Sequence, residues 1–423
     1  MNIFSTKLNE GVELVSELRF KSSILTRLEF DDMRDRYEEI PQAHRSTFQW
    51  IYRAPEAGIS QKWDDFVEWL ETSTHGNLYW IAGKPGSGKS TLMKFIYDNP
   101  LTEAHLQKWA DGFPLVTAGF FFWNSGTVMQ MSRLGLLQSL LHQILSRYPE
   151  RIIQLFSTRW DAYTTVGRGG HKWTWAELKK TFEALISDKS LRFALFLDGL
   201  DEFDGDHGDL VDLIIAMSSQ VNVKICSASR TWLLFEDAFE SKPSLLLEDL
   251  TERDIRQYVH GKFNQHKRYQ QLRRSEPQYA RKLIDNVVKK ATGVFLWVYL
   301  VVNSLLNGLT NADRVSDLQK RLDLLPEGLE DLFQKLLKGV EGESLYYPHA
   351  CQMLLTIFEA QIPPSLLAFS FADEEDDAKI IGASHGPLPN EERAKLFECT
   401  RRRLKSHCKG LLEVAHRKES QKR

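Results

Sequence analysis

The sequence predicts a doubly wound α/β domain, a parallel sheet with helices on both faces, followed by a helical region. Five short apolar runs alternate with helix-period segments between residues 78 and 250. Those runs are almost continuously apolar, as strands buried on both faces are. Beyond about residue 250 the strand signal stops and helical periodicity continues alone.

The elements follow in order. Residues 1–55 form an N-terminal helical linker, with Leu14, Leu18, Ile24 and Leu28 at helix-like spacing and a highly polar stretch at 31–39. WDDFVEWL (63–70) places Trp63, Phe66, Val67 and Leu70 on one helical face. The expected strands are LYWIAG (78–83), LVTAGFFFW (115–123), FALFLDGLD (193–201), VKICSAS (223–229) and LLLEDL (245–250). Helices at 90–97, 134–145, 175–186 and 210–218 separate them, so 56–250 is one α/β domain. A helical domain occupies 251–340, with periodic segments at 251–258, 281–290, 294–306, 315–325 and 329–337 and Gly or Pro at the breaks. A last region, 341–423, holds an apolar helix, the acidic loop ADEEDD (372–377), the basic helix ERAKLFECTRRRLKSHCK (392–409) and a strand-like LLEV (411–414). No repeat of 20–50 residues is present, which excludes a solenoid or propeller.

Composition narrows the function classes. With 423 residues, two to four domains are expected. A 42% hydrophobic and 26% charged make-up excludes a fibrous or disordered whole. A net charge of -3, with both signs interspersed, leaves no electrostatic footprint for nucleic acid. Cys226, Cys351, Cys399 and Cys408 are scattered, matching neither a disulfide framework nor zinc spacing, and point to a reducing compartment. The longest apolar run, 294–306, is too short for a bilayer and reads as a buried helix. With no signal-peptide pattern at the start, a soluble, cytoplasmic protein is expected.

The strongest chemical signal is Gly83-Lys84-Pro85-Gly86-Ser87-Gly88-Lys89-Ser90, an eight-position phosphate loop with an apolar strand before it and a helix opening at Thr91 after it. Its glycines let backbone N–H groups turn inward around phosphate oxygens, and the helix N-terminus adds partial positive charge. Gly83 to Thr91 are therefore the nucleotide-binding set. Lys89 reaches the terminal phosphates and the Ser90 hydroxyl sits on Mg2+.

The second signal is FALFLDGLDE (193–202). An acid at the carboxyl end of a buried strand emerges where ligands bind in such sheets, so Asp198 is the expected magnesium-side carboxylate. Asp201 and Glu202 lie a short turn further on, and one of them is placed to orient or deprotonate an attacking water. Arg230 ends the fourth strand; if that strand neighbours the strand of Asp198, Arg230 faces the terminal phosphate and senses nucleotide state. Blander readings are preferred elsewhere. Asp204, Asp206 and Asp209 read as acidic surface loop, Cys226 as core, and His171 and His207 as loop residues. The run from Phe120 to Trp123 reads as buried strand, and Arg401, Arg402, Arg403 and Lys405 as a solvated helix face. No Asn-Lys-x-Asp element is present, so the base stays open between ATP and GTP.

The chain resembles the NACHT-type signal-transduction NTPases of the STAND class, specifically the fungal NOD-like receptor and heterokaryon-incompatibility relatives. The resemblance rests on AHRSTFQWIY (43–52), LYWIAGKPGSGKSTLMKFI (78–96), GFFFWNSGT (119–127), GLLQSLLHQIL (135–145), FALFLDGLDEF (193–203), ICSASR (225–230), LEDLTERDIRQYV (247–259) and GVFLWVYLVVNSLLNGL (293–309). It implies an ASCE-type P-loop NTPase domain at 56–250, the helical domain at 251–340 and a partial winged-helix domain at 341–423. It also implies Lys89 and Ser90 on phosphate and Mg2+, Asp198 on Mg2+, Asp201 or Glu202 in hydrolysis and Arg230 as sensor. Such proteins carry an effector module and sensor repeats, and neither is visible here, which implies a receptor truncated at both ends. The expected function is a nucleotide-gated switch that controls self-association and is reset by slow hydrolysis. The rivals are a scaffold that holds nucleotide without hydrolysing it and a turnover ATPase.

Overall fold

The computed structural model describes residues 2–44, 47–53, 63–166, 170–311, 313–341, 347–360, 364–372, 388–408 and 412. The chain divides into two compact units, Met1–Leu318 and Gln319–Arg423.

All five expected strands form in the first unit: β1 (Leu78–Ala82), β2 (Leu115–Phe121), β3 (Arg192–Asp198), β4 (Val223–Ser229) and β5 (Ser244–Leu246). They make one parallel sheet in the order β2-β3-β4-β1-β5. Residues along each strand alternate between two cores, which is why the runs are apolar throughout. On one face Trp80, Val116, Phe193, Leu195 and Ile225 meet the helices Arg133–Arg147 and Trp175–Ile186 through Leu136, Leu140 and Phe182. On the other, Tyr79, Ile81, Ala194, Phe196 and Cys226 meet Phe66, Trp69, Leu92, Met93 and Ile96. Fully burying each large apolar side chain contributes about 1.5–3 kcal/mol. The N-terminal helix Asn2–Leu28 joins the first core through Phe20, Ile24 and Leu28, while Leu14 and Leu18 face outward.

Some boundaries differ from expectation. The helix expected over 63–70 spans only Phe66–Glu71, because the Asp65 side chain accepts from the Glu68 N–H and caps it there. Trp63 lies outside it, in an antiparallel bridge with Leu245. The fifth strand is short and gives way to a tight turn at Leu247–Asp249. Helices at Pro100–Ala110, Ser157–Val166 and Lys267–Ser275 add to those read from periodicity.

Helices Glu252–Asn264, Pro277–Ala291 and Phe295–Thr310 complete this unit around Ile255, Val259, Val287, Trp297 and Val301. Among the described residues no helix is long and apolar enough to cross a membrane. In the second unit, helices Tyr347–Glu359, Leu366–Ala372 and Asn390–His407 enclose a small core of Met353, Phe369, Leu404 and Cys408. Arg401 and Arg402 pair with Glu398 on an exposed helix face. Except for Ala372 and Leu412, the ADEEDD loop and the LLEV strand fall outside the described residues.

Candidate nucleotide-binding site

The strand order brings the chemistry together. β4 lies between β1 and β3, with Ala82 level with Ser229 and Leu197 level with Ser227. The carboxyl ends of the three strands therefore open side by side, and each carries one of the expected groups: the phosphate loop, Asp198 and Arg230.

The loop after β1 turns through Gly86 at φ 70° and Gly88 at φ 102°, conformations that favour glycine. Gly83 is constrained differently: a Cβ there would stand 2.9 Å from both Glu248 Oε2 and Ser87 Oγ. Helix Lys89–Tyr97 starts directly after Gly88. Lys89 Nζ curls back to donate to Gly83 O at 2.7 Å and Lys84 O at 3.0 Å. Burial pulls its pKa below the ordinary amine value, while Asp201 and Asp198 oppose that. Lys84 and Pro85 are exposed at the loop tip, Ser87 is fully buried with its hydroxyl unpartnered, and Ser90 and Thr91 are half-buried in the first helical turn.

Asp198 ends β3 at 1% exposure, and neither carboxylate oxygen has a hydrogen-bond partner of normal geometry. Burial raises its pKa to about 6; Ser90, Arg36 and Lys89 favour the charged form, and Glu202 opposes it. A buried carboxylate left without a partner is expensive unless a cation completes it. Its two oxygens, with the Ser90 hydroxyl nearby, are hard oxygen donors of the kind that would suit Mg2+.

Asp201 and Arg230 meet. Asp201 Oδ1 accepts from the Arg230 N–H at 3.0 Å, and Oδ2 pairs with Arg230 Nε at 2.8 Å. The Asp201 side chain is 4% exposed and that of Arg230 38%. Glu202 is engaged elsewhere, its Oε2 accepting from the Asn124 N–H at 3.1 Å. Asp206 instead caps the helix His207–Ser218, and Asp209 pairs with Arg133. Phe120, Phe121 and Phe122 are buried while Trp123 is half-buried, and Cys226 is core, its thiol pushed up by burial. His207 opens a helix, its ring against Trp232. Among the described residues no group of three or more His, Cys, Asp or Glu side chains could hold a metal.

Three contacts escaped the sequence reading. Glu248 Oε2 accepts from the Lys84 N–H at 3.1 Å, placing a carboxylate against the loop. The Leu296 N–H donates to Gly86 O at 3.0 Å, so helix Phe295–Thr310 begins on the phosphate loop itself. The Phe48 N–H and Trp50 Nε1 both donate to Asp254 Oδ2, at 2.9 and 2.8 Å, fastening residues 48–50 to helix Glu252–Asn264. The second shows in the sequence as a Gly-led apolar run starting at Gly293, while Glu248, Asp254, Phe48 and Trp50 lie within segments that carry the family resemblance without a role being read for them. Arg36 is a fourth addition, its guanidinium 5.7 Å from the centre of the Trp123 ring.

A parallel sheet of this order, with a phosphate loop after β1 and a buried acid ending β3, defines a P-loop NTPase. Residues 47–230 match the family described as Nephrocystin 3, N-terminal, and residues 342–423 match a domain of unknown function, DUF7791. No curated protein matches the chain. Solved structures similar to it include Drosophila ORC bound to DNA, at 13% identity and TM-score 0.37, covering 79% of this chain and 75% of that one. A Walker-type ATPase of Pyrococcus abyssi is 14% identical over 84% of this chain and 92% of that one, with TM-score 0.33. Cdc6p from Pyrobaculum aerophilum is 11% identical over 92% of each chain, also with TM-score 0.33.

Proposed function

We propose that the chain is a nucleotide-gated switch of the NACHT type, binding ATP or GTP with Mg2+ and controlling self-association of a cytoplasmic receptor in fungal innate immunity or heterokaryon incompatibility. In this reading residues 56–250 bind nucleotide, 251–340 relay its state, and 341–423 form a partial winged-helix domain. The backbone of residues 83–91, through its N–H groups other than at Pro85, and the Lys89 side chain hold the phosphates, Ser90 and Asp198 hold Mg2+, and the cation offsets the phosphate charge. Asp201 or Glu202 handles the attacking water, and Arg230 reads the terminal phosphate. Slow hydrolysis returns the protein to its diphosphate form.

The observation that carries the reading is the Leu296 N–H to Gly86 O hydrogen bond, because it joins a helix outside the sheet directly to the phosphate loop. The Asp201–Arg230 pair adds a competitor: a terminal phosphate contests Arg230 with Asp201, which gives the site two arrangements to choose between.

The test compares melting temperature and sedimentation of the wild type and Lys89→Ala, with and without Mg2+ and each nucleotide. Triphosphate with Mg2+ should raise the melting temperature and change the sedimentation of the wild type alone. Lys89→Ala should bind about 10- to 150-fold more weakly, as loss of one charge-assisted contact implies. Identical behaviour across all conditions defeats the proposal. One observation favours the non-hydrolysing scaffold instead: both Asp201 and Glu202 are already engaged, by Arg230 and by the Asn124 N–H. If the Asp201→Ala, Glu202→Ala double variant releases phosphate as the wild type does while nucleotide still stabilises both, the scaffold reading prevails.

A further inference from the structure

Arg36 lies on the short helix Asp35–Glu39, far from the phosphate loop in sequence and outside any motif. The structure nevertheless delivers it to the site. Trp123 continues β2 beyond Phe121, which is level with Asp198, and the Phe122 N–H donates to Asp198 O at 2.9 Å. The guanidinium stacks 5.7 Å from the Trp123 ring centre, at the same carboxyl edge as Asp198.

The helix carrying Arg36 is fixed to the phosphate-binding helix. Lys94 Nζ, buried on helix Lys89–Tyr97, donates to Tyr37 O at 2.6 Å and Ile40 O at 2.8 Å. The Tyr37 hydroxyl donates to Asp98, and its ring lies 5.3 Å from that of Phe121. These four contacts hold the backbone on which Arg36 stands.

That arginine is incompletely satisfied. Its Nε is buried without a hydrogen-bond partner. If its task were to neutralise Asp198, its planar fork would donate to the carboxylate in pairs, the geometry arginine favours. No hydrogen bond or ion pair joins Arg36 to either Asp198 oxygen, so the fork is still available to another oxygen anion. Beside a phosphate loop and a magnesium-type acid, the anion of matching chemistry is a phosphoryl group.

We propose that Arg36 donates to the terminal phosphate of a bound nucleoside triphosphate, which makes the segment around residues 30–40 part of the nucleotide-reading machinery and sensitive to the third phosphate. This rests on the nucleotide-binding reading above and extends it to a residue outside the phosphate-loop domain. A diphosphate lacks the group that Arg36 would hold, so discrimination between the two nucleotides is the quantity it should control.

The test measures equilibrium binding of ATP, ADP, GTP and GDP, each with Mg2+, to the full chain as wild type, Arg36→Gln, Arg36→Lys and Lys89→Ala. Arg36→Gln should weaken triphosphate binding about 10- to 150-fold and leave diphosphate within about twofold. Arg36→Lys, which keeps the charge and loses the fork, should fall between. Triphosphate should also protect the 30–40 segment of the wild type from proteolysis, and not that of Arg36→Gln. Equal losses for both nucleotides, or no loss, overturn the assignment. Should Arg36→Gln melt lower without nucleotide, the triphosphate-to-diphosphate ratio of Arg36→Lys decides; a ratio equal to wild type overturns it. A wild type that binds no nucleotide defeats the underlying reading as well, whereas Lys89→Ala losing both nucleotides while Arg36→Gln behaves as wild type defeats this one alone.

Discussion

Asp198 is ionised at neutral pH only against its own burial. Its pKa rises from 3.8 to about 6, so the folded state binds more protons than the unfolded chain between those values. A carboxylate raised in this way gives its full stability below about pH 4 and loses it as pH climbs through 6, a difference of up to about 3 kcal/mol. Asp198→Asn, which keeps the shape and removes the charge, should therefore match the wild type in chemical denaturation near pH 4. By about pH 7.5 the variant should be more stable by up to about 3 kcal/mol in the absence of Mg2+. With Mg2+ and nucleotide the advantage should vanish, since only the wild type then gains its cation. A pH-independent gap would mean that Asp198 is not the group under strain. Asp198 was legible in the sequence because a lone acid closing an apolar strand has few other uses. Arg36 was not, because it reaches the site from far along the chain and sits in no pattern of its own; Glu248 lies in a segment that carries the family resemblance, but nothing in that segment marks it as a neighbour of the phosphate loop.

At the scale of elements, the five strands were readable because burial on both faces demands unbroken apolar runs, and their order then decides which tips converge. Helix ends were less so: the start of helix Phe66–Glu71 is set by one Asp65 cap, which periodicity alone cannot weigh against Trp63. Helix Lys267–Ser275 buries only Tyr269, leaving little apolar pattern to read. Helix Pro100–Ala110 did carry a signal, Pro at its first position after a capping Asn99. The junction between loop and helix is testable. Gly293 has φ 82°, and a Cβ on it would stand 2.5 Å from the backbone oxygen of Glu248. Gly293→Ala should destabilise the first unit by roughly 2–5 kcal/mol, combining backbone strain with overpacking. It should also weaken nucleotide-induced stabilisation, because Leu296 can no longer sit squarely on Gly86. Asp254→Ala tests the second fastener. It leaves the Phe48 N–H and Trp50 Nε1 without their acceptor, at a cost of about 2–4 kcal/mol. Urea denaturation reads both, and a loss under about 0.5 kcal/mol in either would show that the contact does not hold its segment.

For the molecule as a whole, the question is how much of a conformational change the nucleotide can drive. Shifting a population from 1:99 to 99:1 needs about 5.5 kcal/mol of differential affinity. A diphosphate and a triphosphate share the loop amides, so those contacts cancel and the difference must come from groups that touch the third phosphate. Lys89, Arg230 and Arg36 are the candidates, each charge-assisted hydrogen bond contributing about 1.5–3 kcal/mol. Any two of them reach only about 3–6 kcal/mol, and Arg230 must first leave Asp201. The switch is thus expected to be nearly balanced, and removing one arginine should leave it partial rather than abolished. Wild-type protein with Mg2+ and a non-hydrolysable triphosphate should sediment mainly as the larger species, and with diphosphate mainly as the smaller. Arg230→Ala should give a mixture in the triphosphate, its proportions moving with protein concentration. Lys89→Ala, which weakens both nucleotides, should remain small in each. If Arg230→Ala instead shifts as completely as the wild type, the terminal phosphate is read elsewhere and the Asp201–Arg230 pair is structural.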